Sequence, residues 1–361
     1  MRSIARALLP ESVVLGHGVL EGGVAGGGVV APARRDHHAA LLQERKGHGR
    51  LGPRDVGRVA EVLKVEGARR LIDGVGDCLQ GVGRAAVLVR LIDVQSKLLF
   101  WLVAGWEDDF TGYVLDYGAW PDPNESYFTL RDARRTLLTE FPRAGQEGAI
   151  YAGLEALTGH LLGKAWRRDD GTDLRIERCL IDANWGQSSD VVYQFCRQSA
   201  HAGIVMPSHG RYVGASSIPF SDYKRKRGER VGLNWRVPLV AGKRAVRHVL
   251  FDTNYWKSFV HARLAVPMGD PGCLSLFGRE AGRHRLLADH LTSEYRIKTE
   301  GRGRTVDEWK LRVAGIDNHW LDCLVGSAVA ASMQGAVLFG TDQRAKPKPR
   351  VRLSELRRAK A

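Results

Sequence analysis

No aromatic residue precedes Phe100. The nine Trp, nine Tyr and ten Phe of the 361-residue chain all lie at or beyond it. Aromatic side chains carry much of the area buried in a core, so a stretch of this length without one is not expected to build a core of its own. Residues 1–85 instead hold glycine clusters such as Gly22-Gly23 and Gly26-Gly27-Gly28 among scattered Arg and Val. They are expected to be poorly ordered, with marginal helices around 54–71 at most, and they read equally well as a mis-called start or a frame-shifted remnant. Cysteine is scarce and odd in number: Cys78, Cys179, Cys196, Cys273 and Cys323 form no CxxC. That excludes a zinc ribbon and a disulfide framework, and makes a reducing cytoplasm the expected setting. No apolar run approaches the roughly 18 residues of a membrane span, so no membrane partner is expected. The opening ten residues are too short and too weakly apolar for a signal peptide.

What is present is positive charge and, after residue 86, firm hydrophobic patterning. The formal charge is +14, which points to a polyanionic partner, most simply nucleic acid. With 44% hydrophobic and 26% charged residues the chain is globular in class. Val87 to Val94 is an apolar, β-branched run suited to a buried central strand. The short Gln95-Ser96 gap makes it an antiparallel hairpin with the strand Lys97 to Trp106. Phe110 to Tyr117 reads as a third strand, ended by Gly118 and Pro121. Helices near 129–140 and 147–163 follow. Then come a strand from Leu174 to Asp182, a helix from Ser188 to Ala202, and a short strand at 203–207. Three meandering strands, helices, strand, helix, strand is the order of a ribonuclease H-like fold, an α/β mixed sheet flanked by helices. The domain is expected over 86–338. A strand at 248–252 leads into a helix from about Asn254 to Leu264, 265–315 reads as irregular, and His319 to Met333 is a helix of small residues. Residues 339–361 form a basic tail.

Three carboxylates stand where this order brings them together. Asp93 closes the first strand, Asp182 closes the fourth, and Asp322 lies in the first turn of the last helix. An Asp at a strand end is often only a turn or helix cap. Two of them ending otherwise apolar strands is less ordinary, because a lone buried carboxylate is costly. Such a cluster suits two divalent ions that activate water and stabilise the leaving oxygen of a phosphodiester. Oxygen ligands favour Mg2+ or Mn2+. Asp317 reads as an N-cap, and Asp116 and Glu294 as reserve candidates, with a surface position the plainer reading of Glu294.

Asp93-Val94-Gln95, Leu180-Ile181-Asp182 and the run from Asp317 to Cys323 resemble the nuclease domain of phage terminase large subunits of the lambda-like GpA type. That family's first motif is Gly-Val-Asp-Val-Gln-like, so Leu91 stands here in place of the glycine. Its third is Asn-Glu-x-Leu-Asp-Cys-like, and here His319 holds the position where Glu is common. The resemblance covers about 92–335. It implies a metal-dependent endonuclease that cuts concatemeric viral DNA during packaging in a bacterial host cell, with Asp93, Asp182 and Asp322 as catalytic metal ligands. Double-stranded DNA, a terminase small subunit and a portal are the implied partners. It also implies an ATP-driven motor N-terminal to the nuclease, yet no GxxxxGK[ST] loop occurs in the chain. A truncated prophage gene is the expectation that follows. Two other readings stay open: a catalytically degraded nucleic-acid-binding remnant, and another ribonuclease H-like enzyme such as a resolvase.

The charge is concentrated. Residues 222–263 hold eleven Lys or Arg against three acids. Lys224, Arg225, Lys226 and Arg227 form a compact block, followed by Arg230 and a hairpin expected over 231–240. A basic ribbon of this kind suits a duplex backbone laid beside a metal site, and a solvated loop is the plainer alternative. Lys257 is a candidate phosphate ligand, or a simple surface lysine. The tail from Thr341 adds eight more Lys or Arg, suited to DNA or a portal. Residues 207–212 read as a DNA-facing turn. Trp185, Trp235, Trp256 and Trp309 read as core or edge packing.

Overall fold

The computed structural model describes residues 85–338 apart from 169, 185, 187, 188, 240–245 and 279. The expectations for 1–84, for Cys78 and Trp185, and for the tail beyond 338 lie outside the described residues. Strand β1 (Val87–Val94) turns back into β2 (Leu99–Trp106), paired antiparallel from Val87↔Trp106 to Val94↔Leu99. β3 (Gly112–Trp120) completes the meander. Helices α1 (Leu137–Glu140) and α2 (Gly145–Leu162) follow, then the two-residue strands β4 (Trp166–Arg167) and β5 (Asp173–Leu174). β6 (Ile176–Asp182), α3 (Ser189–Gln198) and β7 (Val205–Arg211) form a parallel crossover. A small hairpin of β8 (Arg230–Gly232) and β9 (Trp235–Val237) precedes β10 (Val249–Asp252) and α4 (Thr253–Leu264). β11 (Leu274–Leu276), α5 (Arg285–Leu291), the hairpin β12 (Glu294–Gly301) and β13 (Arg304–Leu311), and α6 (His319–Gln334) complete the order.

Nine strands form one mixed sheet in the order β11-β3-β2-β1-β6-β7-β10-β9-β8. The antiparallel meander occupies one side of β1, and the parallel strands β6, β7 and β10 the other. This is the ribonuclease H-like arrangement. Alternation along β1 sends successive side chains to opposite faces. Val89 and Leu91 pack with Leu180 against Trp256 and Phe259 of α4 and the apolar side of α6. Leu88, Ile92 and Val94 pack with Ile181 against α2 and α3. α6 lies close to the sheet because Gly326 leaves room for the Leu91 side chain; a Cβ there would overlap Leu91 Cδ1. Arg90 points to the α2 face, fully buried. Its guanidinium lies 5.2 Å from the Trp101 ring centroid, and its nitrogens have no hydrogen-bond partner among the described residues. Burial lowers its pKa to about 10, against the pull of Cys179, Cys323 and Asp116.

Several elements differ from the sequence reading. The 265–315 stretch is not irregular: it contains β11, α5 and the β12–β13 hairpin. Apart from Glu294 none of that hairpin's residues is fully buried, so it lacks the apolar alternation that reveals a half-buried strand. Its turn, Arg302-Gly303, takes positive φ at both residues, as tight hairpins require. The helix expected at 129–140 shrinks to α1. Thr136 opens it with a capping box to Thr139, while Asp317 captures the backbone N–H of Leu130 upstream. β3 runs through Gly118 instead of ending there, because Gly118 lets the Trp101 ring lie against the strand. Residues 207–211 are not a turn but the second half of β7, paired with both β6 and β10.

Candidate active site

β1 and β6 lie side by side and parallel, with Leu91↔Leu180 and Ile92↔Ile181 in register. The next residue on each strand is an aspartate. Asp93 pairs with Phe100 across the hairpin, and Phe100 belongs to the core beneath α6. Asp93 and Asp182 therefore project at the carboxyl ends of their strands toward the face that carries α6. Asp322 stands in the first turn of α6. The three carboxylates are close enough to repel one another. Asp182 is raised well above the usual range, by burial first and then by Asp93 and Asp322. Asp322 is raised by burial and by Asp93 and Glu294, with Lys257 pulling the other way. Its side chain still keeps 40% exposure, so one lobe faces solvent.

A fourth acid completes the cluster. Glu294, a reserve candidate whose plainer reading was a surface residue, is 5% exposed because it begins β12 inside the site before the hairpin runs out into solvent. Its Oε1 accepts from Lys257 Nζ at 2.5 Å and from Asn318 Nδ2 at 2.7 Å. Lys257 sits one turn into α4, which Asp252 caps by accepting from the Tyr255 N–H. Its ammonium also lies 3.1 Å from Asp322 Oδ1. Burial lowers its pKa, and Asp322 and Glu294 more than reverse that. Lys257 is thus a buried cation bound into the acid cluster and not a surface lysine.

His319 is the second cation. Its Nδ1 donates to Asp93 Oδ2 at 2.7 Å, and its ring stacks on Phe100 with centroids 4.3 Å apart. Burial opposes protonation, but Asp317 and Asp93 outweigh it and hold the pKa up to about 10. Nε2 stays 3.6 Å from Asp317 Oδ1, an ion-pair distance longer than a hydrogen bond. Gln95 Nε2 reaches both Asp93 oxygens at 3.1 Å. Asp317 is not the N-cap expected of it: Asn318 holds that position, and the Asp317 carboxylate goes to Leu130 and His319. Asp116 stands apart, opposite Val103 on the α2 face, with Lys164 Nζ at 4.0 Å.

The donor set is all oxygen, which suits Mg2+ or Mn2+, and the raised Asp182 and Asp322 mark negative charge that a cation would relieve. Among the described residues, no three His, Cys, Asp or Glu side chains already stand at metal-holding spacing. Lys257 and His319 compensate part of the charge.

Residues 82–341 match the family described as terminase large subunit gpA, endonuclease domain. The chain belongs to that family. The matched range spans β1, β6 and α6, the elements that carry the three aspartates. Among solved structures, a mutant nuclease domain of the large terminase subunit gp2 of bacterial virus Sf6 with manganese is similar at 13% identity. It covers 72% of this chain and 96% of its own, with a TM-score of 0.36. No curated protein matches. No helix among the described residues is long and apolar enough to cross a membrane.

The basic block lies away from the acids. Arg230 donates to Met333 O at 3.1 Å, and Trp235 Nε1 to Ser332 Oγ at 2.9 Å, so the β8–β9 hairpin packs on the last turn of α6 while Asp322 occupies the first. Glu229 organises the block: its carboxylate accepts from the Lys226 N–H and from Arg236, and its carbonyl from Arg225 Nε. Lys224 and Arg227 are exposed. Trp235 and Trp256 are buried, and Trp309 stacks on His261. Sequence reasoning did not count His319 as a site residue and kept Glu294 only in reserve. His319 carried a signal, since it occupies the motif position where Glu is common.

Proposed function

We propose that this gpA-type nuclease domain is a divalent-metal-dependent DNA endonuclease, with Asp93, Asp182 and Asp322 as ligands for two Mg2+ or Mn2+ ions. The carrying observation is the meeting of two parallel strand ends and one helix start on a single face, with their carboxylates electrostatically coupled. Bound metal would activate water and stabilise the departing oxygen of the phosphodiester. The protein's own groups do the rest. His319 and Gln95 hold the Asp93 carboxylate in place. Glu294 and Asn318 anchor the Lys257 ammonium beside Asp322, where it can bind a non-bridging phosphate oxygen. Lys224, Arg225, Lys226, Arg227 and Arg230 bind the backbone of double-stranded DNA farther along. The family relationship supports a packaging role in a bacterial host cell, beside a small terminase subunit and a portal.

Asp182→Asn tests this. It should lower metal-dependent nicking of plasmid DNA by about 100-fold or more, equivalent to about 2.7 kcal/mol in the barrier, while DNA binding in chelator is kept. Nicking that survives at parental rate would end the proposal. A second reading, a DNA-binding remnant with a degraded site, is favoured by one observation: both Asp93 oxygens are already engaged by Gln95 and His319. That reading predicts binding without cutting in Mn2+ for the parent itself.

A further inference from the structure

A cavity of about 280 Å³ opens at the β8–β9 hairpin, lined by Phe220, Tyr223, Glu229, Val231, Trp235 and Arg236. That is near the lower end of small-ligand sites, which start at roughly 300 Å³, so it takes one ring system rather than a large ligand. Its chemistry is that of a planar aromatic guest. Tyr223 is 47% exposed, although Arg236 lies 4.9 Å from its ring centroid and Phe220 packs at 5.9 Å. Arg236 is held by Glu229 at 3.1 Å, yet its Nε is buried and has no partner among the described residues. A half-exposed ring backed by a fixed guanidinium suits a base that brings a π-face. Lys224, which follows Tyr223 in the chain, and Arg227 are exposed and supply positive charge on the same segment for the attached phosphates. Aromatic platforms inside a basic groove are how proteins hold single-stranded nucleic acid.

We propose that this cavity binds one unpaired DNA base, stacked on Tyr223, apart from the acid cluster. The inference rests on the nuclease reading above and adds a second site to it. Arg230 at the start of this hairpin donates to the Met333 carbonyl on the last turn of α6, eleven positions or about 16 Å of helix beyond Asp322, so the cavity is a separate site from the acid cluster.

The test uses the full chain in chelator, so that binding is read without cutting. Three labelled DNAs are compared by fluorescence anisotropy: a duplex, the same duplex with one unpaired 2-aminopurine, and a single strand. The parent should bind the unpaired-base duplex roughly tenfold tighter than the paired one, the effect of one stacked base, and 2-aminopurine emission should be quenched on binding. Tyr223→Ala should remove both the preference and the quenching, Tyr223→Phe should keep them, and paired-duplex affinity should change less than twofold in either variant. If the parent binds duplex but shows neither preference nor quenching, the cavity assignment fails and the nuclease reading stands. If the parent binds no DNA of any form, both fail. If Tyr223→Ala instead dissolves a dimer seen by sedimentation while the base preference persists, the cavity is an interface between copies of the chain, and the proposal is overturned.

Discussion

His261 shows how much a single buried ring can decide about acid behaviour. It lies on α4 and stacks on Trp309 at 4.3 Å and 15°, with Nε2 buried and without a partner among the described residues. Burial lowers its pKa to about 4; Glu294 opposes this, and Lys257, Arg296 and Arg312 reinforce it. In the unfolded chain the ring takes a proton near pH 6.5. Between those values the unfolded state binds more protons, so this group's contribution to stability is complete above about pH 6.5 and is lost as pH falls toward 4. Other titrations, including the raised Asp182, Asp322 and Asp252, run the opposite way but cancel in a comparison with His261→Phe, which keeps the stack. Measured by urea unfolding, that variant should gain on the parent as pH drops from 6.5 to 4, by up to about 3 kcal/mol at roughly 1.4 kcal/mol per pKa unit. A difference that stays flat with pH would show that the native ring protonates freely. Nothing local marked this histidine: its partner Trp309 is on another element, and only packing brought the rings together.

At the scale of elements, the packing of α6 on β1 positions the site. Leu91 fills the space above Gly326, and two residues further along β1, Asp93 meets His319 at the start of the helix. The helix is rich in small residues because its axis must approach the sheet. Gly326→Ala should destabilise the fold by about 1–3 kcal/mol through overpacking. Leu91→Ala in the same chain should recover part of that stability, giving a favourable coupling in a double-mutant cycle read by thermal or urea unfolding. Additive effects would mean that α6 shifts freely. β1, β6 and α6 were legible in the sequence because each is buried and therefore written in runs of apolar or small residues. β12 and β13 were not, since a hairpin without buried apolar residues has no such constraint. Nor were the bounds of α1, whose start is set by the capping box at Thr136, while Asp317 takes the Leu130 N–H upstream from 187 residues away.

Across the whole molecule, the acids and the basic block occupy opposite ends of α6. A duplex that engaged both, as proposed, would have to span the length of that helix. Replacing Lys224, Arg225, Lys226 and Arg227 together with Ala should weaken binding to all sequences alike and flatten its salt dependence, by roughly 0.9 in log–log slope for each phosphate that the variant no longer neutralises. Nicking should recover at high protein concentration or low salt, because the acid cluster is untouched. An unchanged slope would make the block a solvated loop and place the DNA path elsewhere.

The amino-acid order alone determined the succession of meander, crossover and closing helix, and it put aspartates at the ends of two buried strands. These are local properties, set by side-chain period and by the high cost of burying a carboxylate without a reason. Which charges neutralise one another was decided only by tertiary structure. Lys257 and Glu294 are 37 residues apart, and His319 and Asp93 are 226 apart; no periodicity connects them. The same holds for the distance between the basic block and the acids. Neighbouring in number to β10 and α4, the block was expected beside the site, but the hairpin that carries it adds to the far edge of the sheet and packs against the other end of α6. Pairing at a sheet edge depends on strand order in space, and strand order is the product of how all the buried faces close together.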